Sequence, residues 1–258
     1  MVSVYNERFA NSLKRYRNGQ EGRYTYVNWG YNTIGVFQNQ DQINNWPVNI
    51  DGKGNTTLLP GDFIVEDVNG DGRIDSQDER PIAYQDNTSV APQPIVNGGL
   101  TLGFDWKGID LSADFSLAGG YAFTPNWETR WPFQNGRTLV RETQFKNRWR
   151  HEDPFDPNSA WIPGDVPALR FTAREYVSWN RNLDYWTTNV VAFRLRSLEI
   201  GYTLPKKWLA AARIQKVRFY VNTYNLFSID NVKKYGVDPE IADRNGMQYP
   251  QNLSLIHI

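Results

Sequence analysis

The stretch Gly99-Leu100-Thr101-Leu102-Gly103-Phe104-Asp105-Trp106 is followed by Lys107-Gly108 and then by Ile109-Asp110-Leu111-Ser112-Ala113-Asp114-Phe115-Ser116-Leu117. Apolar and polar side chains alternate on both sides of Lys107-Gly108, which is the period of a β-strand. Two such runs joined by a short glycine-containing turn predict a β-hairpin. One face of this hairpin is apolar and the other carries carboxylates. A soluble β-sandwich shows the same alternation, so this pattern predicts an all-β fold without choosing its setting.

Two further strands are predicted, from about Val190 to Leu204 and from Val217 to Phe227. The apolar positions of the first strand change face near Ser197. A β-bulge there explains the change, and so does a strand that continues beyond a membrane, because about 9–11 residues suffice to cross. Pro205 to Ala212 predicts one or two helical turns with proline at the start.

The connections between these strands alternate in length. Long segments at 39–96, 119–188 and 229–250 alternate with short ones at 107–108 and 205–216. Successive connections of an antiparallel sheet lie at opposite ends, so all the long ones share one end. This asymmetry is typical of outer-membrane barrels, which have short periplasmic turns and longer external loops. A soluble sandwich has no reason to show it.

In a barrel, the two faces of the hairpin have different surroundings. Lipid does not solvate carboxylates, whereas a water-filled or plugged lumen does. The side chains expected to face lipid are Leu100, Leu102, Phe104, Leu111, Ala113, Phe115 and Leu117. Those expected to face the lumen are Asp105, Asp110, Ser112 and Asp114.

Composition excludes several classes of function. Lys and Arg together number 28, as do Asp and Glu, so no basic surplus indicates nucleic-acid binding. There is no cysteine, which excludes thiolate metal sites, thiol catalysis and disulfides. No run approaches 18 apolar residues, so no transmembrane helix is predicted. The first residues have no signal-peptide pattern, so an exported protein starting here would be a fragment.

The sequence also gives little support to an enzyme. Its two histidines are His151, in a predicted loop, and His257, at the end of the sequence. Neither has the sequence neighbours of a catalytic triad or of a two-histidine metal site. Asp153 and Asp156 form a conceivable carboxylate pair, but a rigid polar loop with two prolines is the simpler interpretation. We therefore predict a protein that is not an enzyme.

A stretch from Asp67 to Asp78 has the spacing of a calcium loop, with Gly72 at the sixth position, where the chain turns sharply. The last position holds Asp where an EF-hand has Glu, and Pro60 to Glu66 reads as a turn and a short extended run, not as an entering helix. The alternative is a solvated Asp/Gly turn that holds no metal. The predicted calcium ligands are Asp67, Asn69, Asp71, the carbonyl of Arg73, Asp75 and Asp78.

Tryptophan is abundant in the long segment 119–188. The ten tryptophans of the chain include several there that could stack on sugar rings. The alternative is that they pack against each other or anchor at a membrane interface.

An ordered series of stretches is similar to the SusC/RagA-type TonB-dependent transporters of Bacteroidetes. The matching stretches are Gly35 to Gln40, Pro60 to Asp75, Gly98 to Leu100 with the hairpin Lys107 to Ser112, Asn147 to Trp149, Phe193 to Lys206, Val221 to Phe227, Gly236 to Glu240 and Tyr249-Pro250. The run from Phe193 to Lys206 is the most specific of them. The series covers most of the chain.

The resemblance implies that residues 1–258 are the C-terminal portion of an antiparallel transmembrane β-barrel, in a family of 22-stranded barrels with a plugged lumen. The plug and the segment that contacts TonB would be absent. The closing strand would be incomplete, since Asn252 to Ile258 departs from the family pattern and looks like translated adapter sequence.

The implied function is energy-coupled import of a glycan or peptide across the bacterial outer membrane, in contact with its lipid. The implied partners are a SusD-like surface lipoprotein and TonB. The alternative is a secreted calcium-binding, carbohydrate-binding β-module.

Overall fold

The structure, a computed structural model, describes residues 27–84, 94–133, 140–235 and 237–240. The predicted helix from Glu7 to Arg17 and the tail from Asn252 to Ile258 lie outside them. The described residues divide into two compact units. We call residues 27–84, 122–133 and 140–188 the loop unit, and residues 94–121, 189–235 and 237–240 the sheet unit.

Strands account for most of the regular structure in both units. The strands are β1 (Val27–Gly30), β2 (Thr33–Val36), β3 (Phe63–Val65), β4 (Arg80–Tyr84), β5 (Val96–Trp106), β6 (Ile109–Phe123), β7 (Arg150–His151), β8 (Trp161–Ile162), β9 (Thr188–Thr203) and β10 (Arg218–Asp230). The α-helices are α1 (Gln40–Asn44), α2 (Glu142–Lys146), α3 (Val177–Asn180) and α4 (Lys206–Leu209). Within the described ranges, none of the helices has the length and apolar character to cross a membrane.

The sheet unit contains one four-stranded sheet in the order β10-β9-β6-β5. Strands β5 and β6 form the predicted antiparallel hairpin around Lys107-Gly108. Leu100 pairs with Phe115 and Thr101 pairs with Asp114, so directly opposed residues share a face. The register therefore confirms one apolar and one polar face for this hairpin.

The short connections lie at the same end of this sheet. The backbone amide of Thr203, at the end of β9, donates to the carbonyl of Gly108, just before the start of β6, at 2.7 Å. The other ends also meet, because the Cβ of a side chain at Gly119 would lie 3.6 Å from the carbonyl of Val190. Strands β6 and β9 are therefore antiparallel, and the turn at Lys107-Gly108 lies beside the connection that contains α4. The predicted placement of the short connections is confirmed.

The predicted change of face in β9 is confirmed near Ser197. Phe193 stacks on Phe115 of the apolar face, with ring centroids 5.5 Å apart. Four residues later, the Ser197 hydroxyl donates to Asp114 of the polar face at 2.5 Å. The pairing of β9 with β10 shifts register in the same place, between Tyr224 and Phe227. An irregularity of this kind moves the side chains that follow it to the opposite face of the sheet.

Charged side chains cross-link the strands on the polar face. Arg218 of β10 donates to Glu199 of β9 at 2.5 Å and, from its Nε, to Asp110 of β6 at 3.1 Å. To reach Asp110 it must pass over Gly201 of β9, where a Cβ would lie 2.5 Å from both side chains. Only glycine leaves room for this contact.

Two exposed tryptophans lie at the end of the sheet that holds the short connections. Trp106 precedes the hairpin turn and Trp208 lies in α4, and more than half of each side chain is exposed. Membrane barrels carry girdles of aromatic residues at both interfaces. These two residues are therefore suited to mark one interface.

We predict that the two faces of the hairpin respond oppositely to a charge. Leu100→Arg places a cation on the exposed apolar face, six residues from Trp106, and is expected to cost about 2–4 kcal/mol near the membrane midplane. Ser112→Arg places the same cation on the polar face and is expected to leave assembly intact. The measurement is the free energy of unfolding of the protein in lipid vesicles. Equal effects of the two variants would contradict the assignment of faces.

Candidate functional site

The loop unit is built around tryptophans from the long segment between β6 and β9. Trp179 is fully buried with Phe63 and Leu183, and Trp131 and Trp186 belong to the same core. Each indole finds an acceptor for its N–H: Trp131 donates to the carbonyl of Trp179 at 2.8 Å, and Trp186 donates to that of Ser178 at 2.9 Å. For these residues, the alternative that the tryptophans pack against each other is confirmed.

A buried ion pair joins the two long segments. Arg170 donates to Asp62, and both side chains are buried. Arg170 also donates to the carbonyl of Thr57 at 2.7 Å, and its guanidinium lies 4.1 Å from the ring centre of Tyr176. The amide of Leu59 donates to the same Asp62 oxygen at 2.8 Å. Sequence reasoning missed this pair, because its members lie 108 residues apart.

The calcium-type loop is closed by its own backbone. Gly70 and Gly72 both have positive φ angles, of 73° and 82°. Their amides donate to the two oxygens of Asp67, each at 2.8 Å. The sharp turn that the calcium pattern requires at Gly72 is therefore present, and Asp67 holds it.

Asp71, Arg73 and Asp75 lie on the exposed side of this loop. The Nε of Arg73 lies 3.4 Å from Asp71 and 3.9 Å from Asp75. Desolvation works to raise the pKa of Asp71, but hydrogen bonds from Asn69 and Arg73 outweigh it and hold that pKa below its usual value. The carboxylate of Asp71 is thus kept ionised, which is the form that binds a cation.

Asp78 is fully buried at the base of the loop. One of its oxygens accepts from the amide of Val68 at 3.0 Å, and the other accepts from the amide of Asp75 at 2.8 Å. The residue predicted as the last calcium ligand thus ties the two ends of the loop together. Within the described part of the chain, no three acidic or histidine side chains are grouped as metal ligands.

A second loop, residues 49–57, was not predicted from the sequence, and it supports the first. The backbone amide of Asn49 donates a hydrogen bond to the carbonyl of Gly72 at 2.8 Å, so the two loops lie side by side. Within the second loop, Asp51 accepts from the amides of Lys53, Asn55 and Thr57 at 2.7–2.9 Å. Burial works to raise the pKa of Asp51, but the hydrogen bonds from Thr57, Lys53 and Asn55 prevail and lower it. The Asp-Gly spacing at Asp51-Gly52 was the available signal.

The polar loop around His151 is held together by local contacts. The Nδ1 of His151 lies 2.9 Å from the carbonyl of Ser159, and its ring lies 4.0 Å from that of Trp161. The carboxylate of Asp153 accepts from the backbone amide of Phe155 at 2.9 Å, and that of Asp156 accepts from the backbone amide of Asn158 at 2.8 Å. These contacts match the interpretation of a rigid polar loop and leave both carboxylates engaged in local turns.

We predict that the buried pair between Asp62 and Arg170 stabilises the loop unit. Asp62→Ala leaves Arg170 buried without its carboxylate and is expected to cost about 3–5 kcal/mol. Glu142→Ala removes an exposed partner of Lys146 and is expected to cost at most about 0.5 kcal/mol. The measurement is the rate of limited proteolysis of the loop unit in the protein reconstituted in lipid vesicles. Similar rates for the two variants would contradict a structural role for the buried pair.

Comparison with known proteins gives relatives of one kind. No family model matches the chain. TonB-dependent receptor P3 of Formosa agariphila is 26% identical over 235 residues, which cover 88% of this chain and 20% of the relative. TonB-dependent receptor P39 of the same organism is 24% identical over 216 residues, which cover 78% of this chain and 19% of the relative. The chain therefore spans about a fifth of the length of the curated relatives it matches.

A solved structure shares the fold. The structure of the RagAB peptide transporter superposes with a TM-score of 0.50 and 19% identity, covering 86% of this chain and 20% of that chain. At this identity the match concerns the fold alone. The predicted resemblance to SusC/RagA-type TonB-dependent transporters is thereby confirmed: the chain is similar to TonB-dependent receptors over most of its length, shares the antiparallel barrel fold, and belongs to the bacterial outer membrane.

Proposed function

We propose that the chain is part of an energy-coupled importer that takes up glycans or peptides. The observation that carries the proposal is the similarity to two TonB-dependent receptors over 88% and 78% of the chain. The solved structure with the shared fold is a peptide transporter, which supports a peptide as one of the two candidate cargoes. The division into a strand-rich sheet unit and a well-packed loop unit suits a barrel wall with structured external loops.

The partners proposed are a SusD-like surface lipoprotein and TonB. The loop unit offers exposed aromatic side chains to a partner or cargo, among them Phe155 and Phe171, which are 94% and 73% exposed. Phe171 stacks on Phe133 with ring centroids 4.7 Å apart, so these two rings form one apolar patch. Import requires no bond to be broken in the cargo, and we propose no catalytic residue.

The function is tested in the bacterium that produces the protein. Deleting the receptor gene is expected to abolish growth on one class of polymer, either a glycan or a peptide supplied as sole carbon source. Loss of TonB should give the same defect, and a tagged receptor should co-purify with a surface lipoprotein. Growth that survives the loss of TonB on every substrate would overturn the proposal. Growth on simple sugars serves as the control.

We also propose that the loop from Asp67 to Asp78 binds calcium. The ligands would be Asp67, Asn69, Asp71, the Arg73 carbonyl, Asp75 and Asp78, and the ion would stiffen the loop. The positive φ angle at Gly72 and the position of Asp71 and Asp75 on the exposed side of the loop support this proposal. Binding would require Asp71 and Asp75 to exchange the Arg73 side chain for the ion.

Calorimetry on the full-length receptor tests this proposal. Saturable calcium binding is expected at roughly 10⁻⁴–10⁻³ M, as in extracellular sites of this type. Asp71→Ala should abolish it, whereas Asp41→Ala, at an exposed position in α1 of the same unit, should not. If Asp71→Ala behaves like the unaltered receptor at millimolar calcium, the loop is only a turn.

A further inference from the structure

The segment after β10 folds back over the sheet. Strand β10 ends at Asp230, and the amide of Val232 donates to the Asp230 carboxylate at 3.2 Å, which turns the chain. Val232 is fully buried and Val237 is nearly so. Residues 237–240 then lie against β9, the neighbour of β10, and against β6, the next strand across the sheet. This segment, Val237-Asp238-Pro239-Glu240, is called the latch below.

Ion pairs hold the latch to the sheet. Arg194 of β9 donates to Asp238 at 2.7 Å and to Glu240 at 2.9 Å, and its own side chain is only 8% exposed. Arg196 donates to the other oxygen of Glu240 at 2.8 Å. The hydroxyl of Tyr121, in β6, donates to the carbonyl of Pro239. Charge-assisted contacts of this kind are stronger than neutral hydrogen bonds.

The latch lies on the polar face of the sheet. The Nε of Arg196 donates to the hydroxyl of Ser116 at 3.1 Å, and Ser116 also lies 3.4 Å from Glu240. Ser116 follows Asp114 by two residues in β6, so both side chains are on one face. That face carries the carboxylates of the hairpin, and in a membrane barrel it lines the lumen.

The depth of the latch supports the same placement. Ser116 lies seven residues beyond Ile109, which is about 23 Å along the strand and roughly 16 Å along the membrane normal for a tilt near 45°. The apolar band of a membrane barrel is about 25 Å tall. Charged groups within that band face the interior or a water-filled cavity, so lipid is excluded as the surroundings of Arg194, Arg196 and Glu240.

We infer that residues 237–240 fold into the barrel lumen and narrow the passage, held closed by the ion pairs of Glu240 with Arg194 and Arg196. Arg194 is buried beneath two carboxylates and serves as the fixed anchor. Arg196 is half exposed and has Glu240 as its carboxylate partner, so it is the weaker attachment. A narrowing device of this kind controls which cargo passes. Only its effect on uptake depends on the proposed transport function.

Thiol labelling tests the position of the latch without reference to transport. Single cysteines replace Ser116 and, as a matched control, Ser112, which lies on the same face about 13 Å further from the latch. The host is the full-length receptor with any other cysteine replaced, and the probe is a charged, water-soluble maleimide. Glu240→Gln should raise the labelling rate at position 116 about tenfold, because two charge-assisted contacts are lost. The rate at position 112 should not change.

Two further variants keep the outcome decisive. Tyr121→Phe removes only the hydroxyl that reaches Pro239 and should raise labelling at position 116 by a smaller factor, even if Glu240→Gln impairs assembly. Glu175→Gln, an exposed position in the loop unit, should leave both rates unchanged. Unchanged labelling at position 116 in both Glu240→Gln and Tyr121→Phe, or an equal rise at positions 116 and 112, would overturn the inference that the latch covers this part of the lumen.

Uptake is measured separately with the same variants. Glu240→Gln is expected to change the rate of cargo entry several-fold, and Glu240→Asp to restore part of it. If labelling responds as expected in a receptor that imports nothing, the latch stands and the proposed transport function fails. If uptake is intact and labelling does not respond, the transport function stands and the latch fails.

Discussion

Lipid cannot solvate a charge or an unpaired backbone group, and the sheet unit is organised by that constraint. Strands β5, β6, β9 and β10 pair along their lengths, so the backbone groups between them are satisfied by neighbours. Their charged side chains gather on one face, where Asp110, Glu199 and Arg218 join three strands. The opposite face consists of exposed apolar residues such as Leu100 and Phe104. In water this surface would be a liability, whereas in an outer membrane it is the surface that lipid requires.

The loop unit follows the rules of a soluble protein. Its segments are long and poor in regular structure, and connections of that length need a core of their own to stay ordered. Tryptophans supply this core because each buries a large apolar surface and still offers an N–H that can reach a carbonyl. The buried pair of Asp62 and Arg170 then fixes how the two segments meet. The aromatic richness of the chain therefore has two origins, packing in the loop unit and the exposed Trp106 and Trp208 of the sheet unit.

The acidic residues of the loop unit show how one residue type serves several purposes. Asp51, Asp67 and Asp78 all accept backbone amides and close turns. Asp71 and Asp75 are turned toward Arg73 on the exposed side. The calcium pattern in the sequence specifies Asp67 and Asp78 as well as Asp71 and Asp75, because a loop must turn tightly before its oxygens can converge. The division of labour among these carboxylates is visible only once each hydrogen bond is known.

The sequence by itself determined whatever depends on neighbours along the chain. The hairpin, its two faces, the change of face near Ser197 and the turn at Gly72 all follow from local periodicity or from glycine at a tight turn. The ordered series of motifs added the similarity to TonB-dependent transporters. Only the tertiary structure decided which distant groups meet: Arg170 with Asp62, Arg218 with Asp110 across Gly201, and Glu240 with Arg194 and Arg196. These contacts join residues separated by 44 to 108 positions. Ion pairs carry no periodic signature, since any acid and base suit each other chemically, and the path of the chain selects among them.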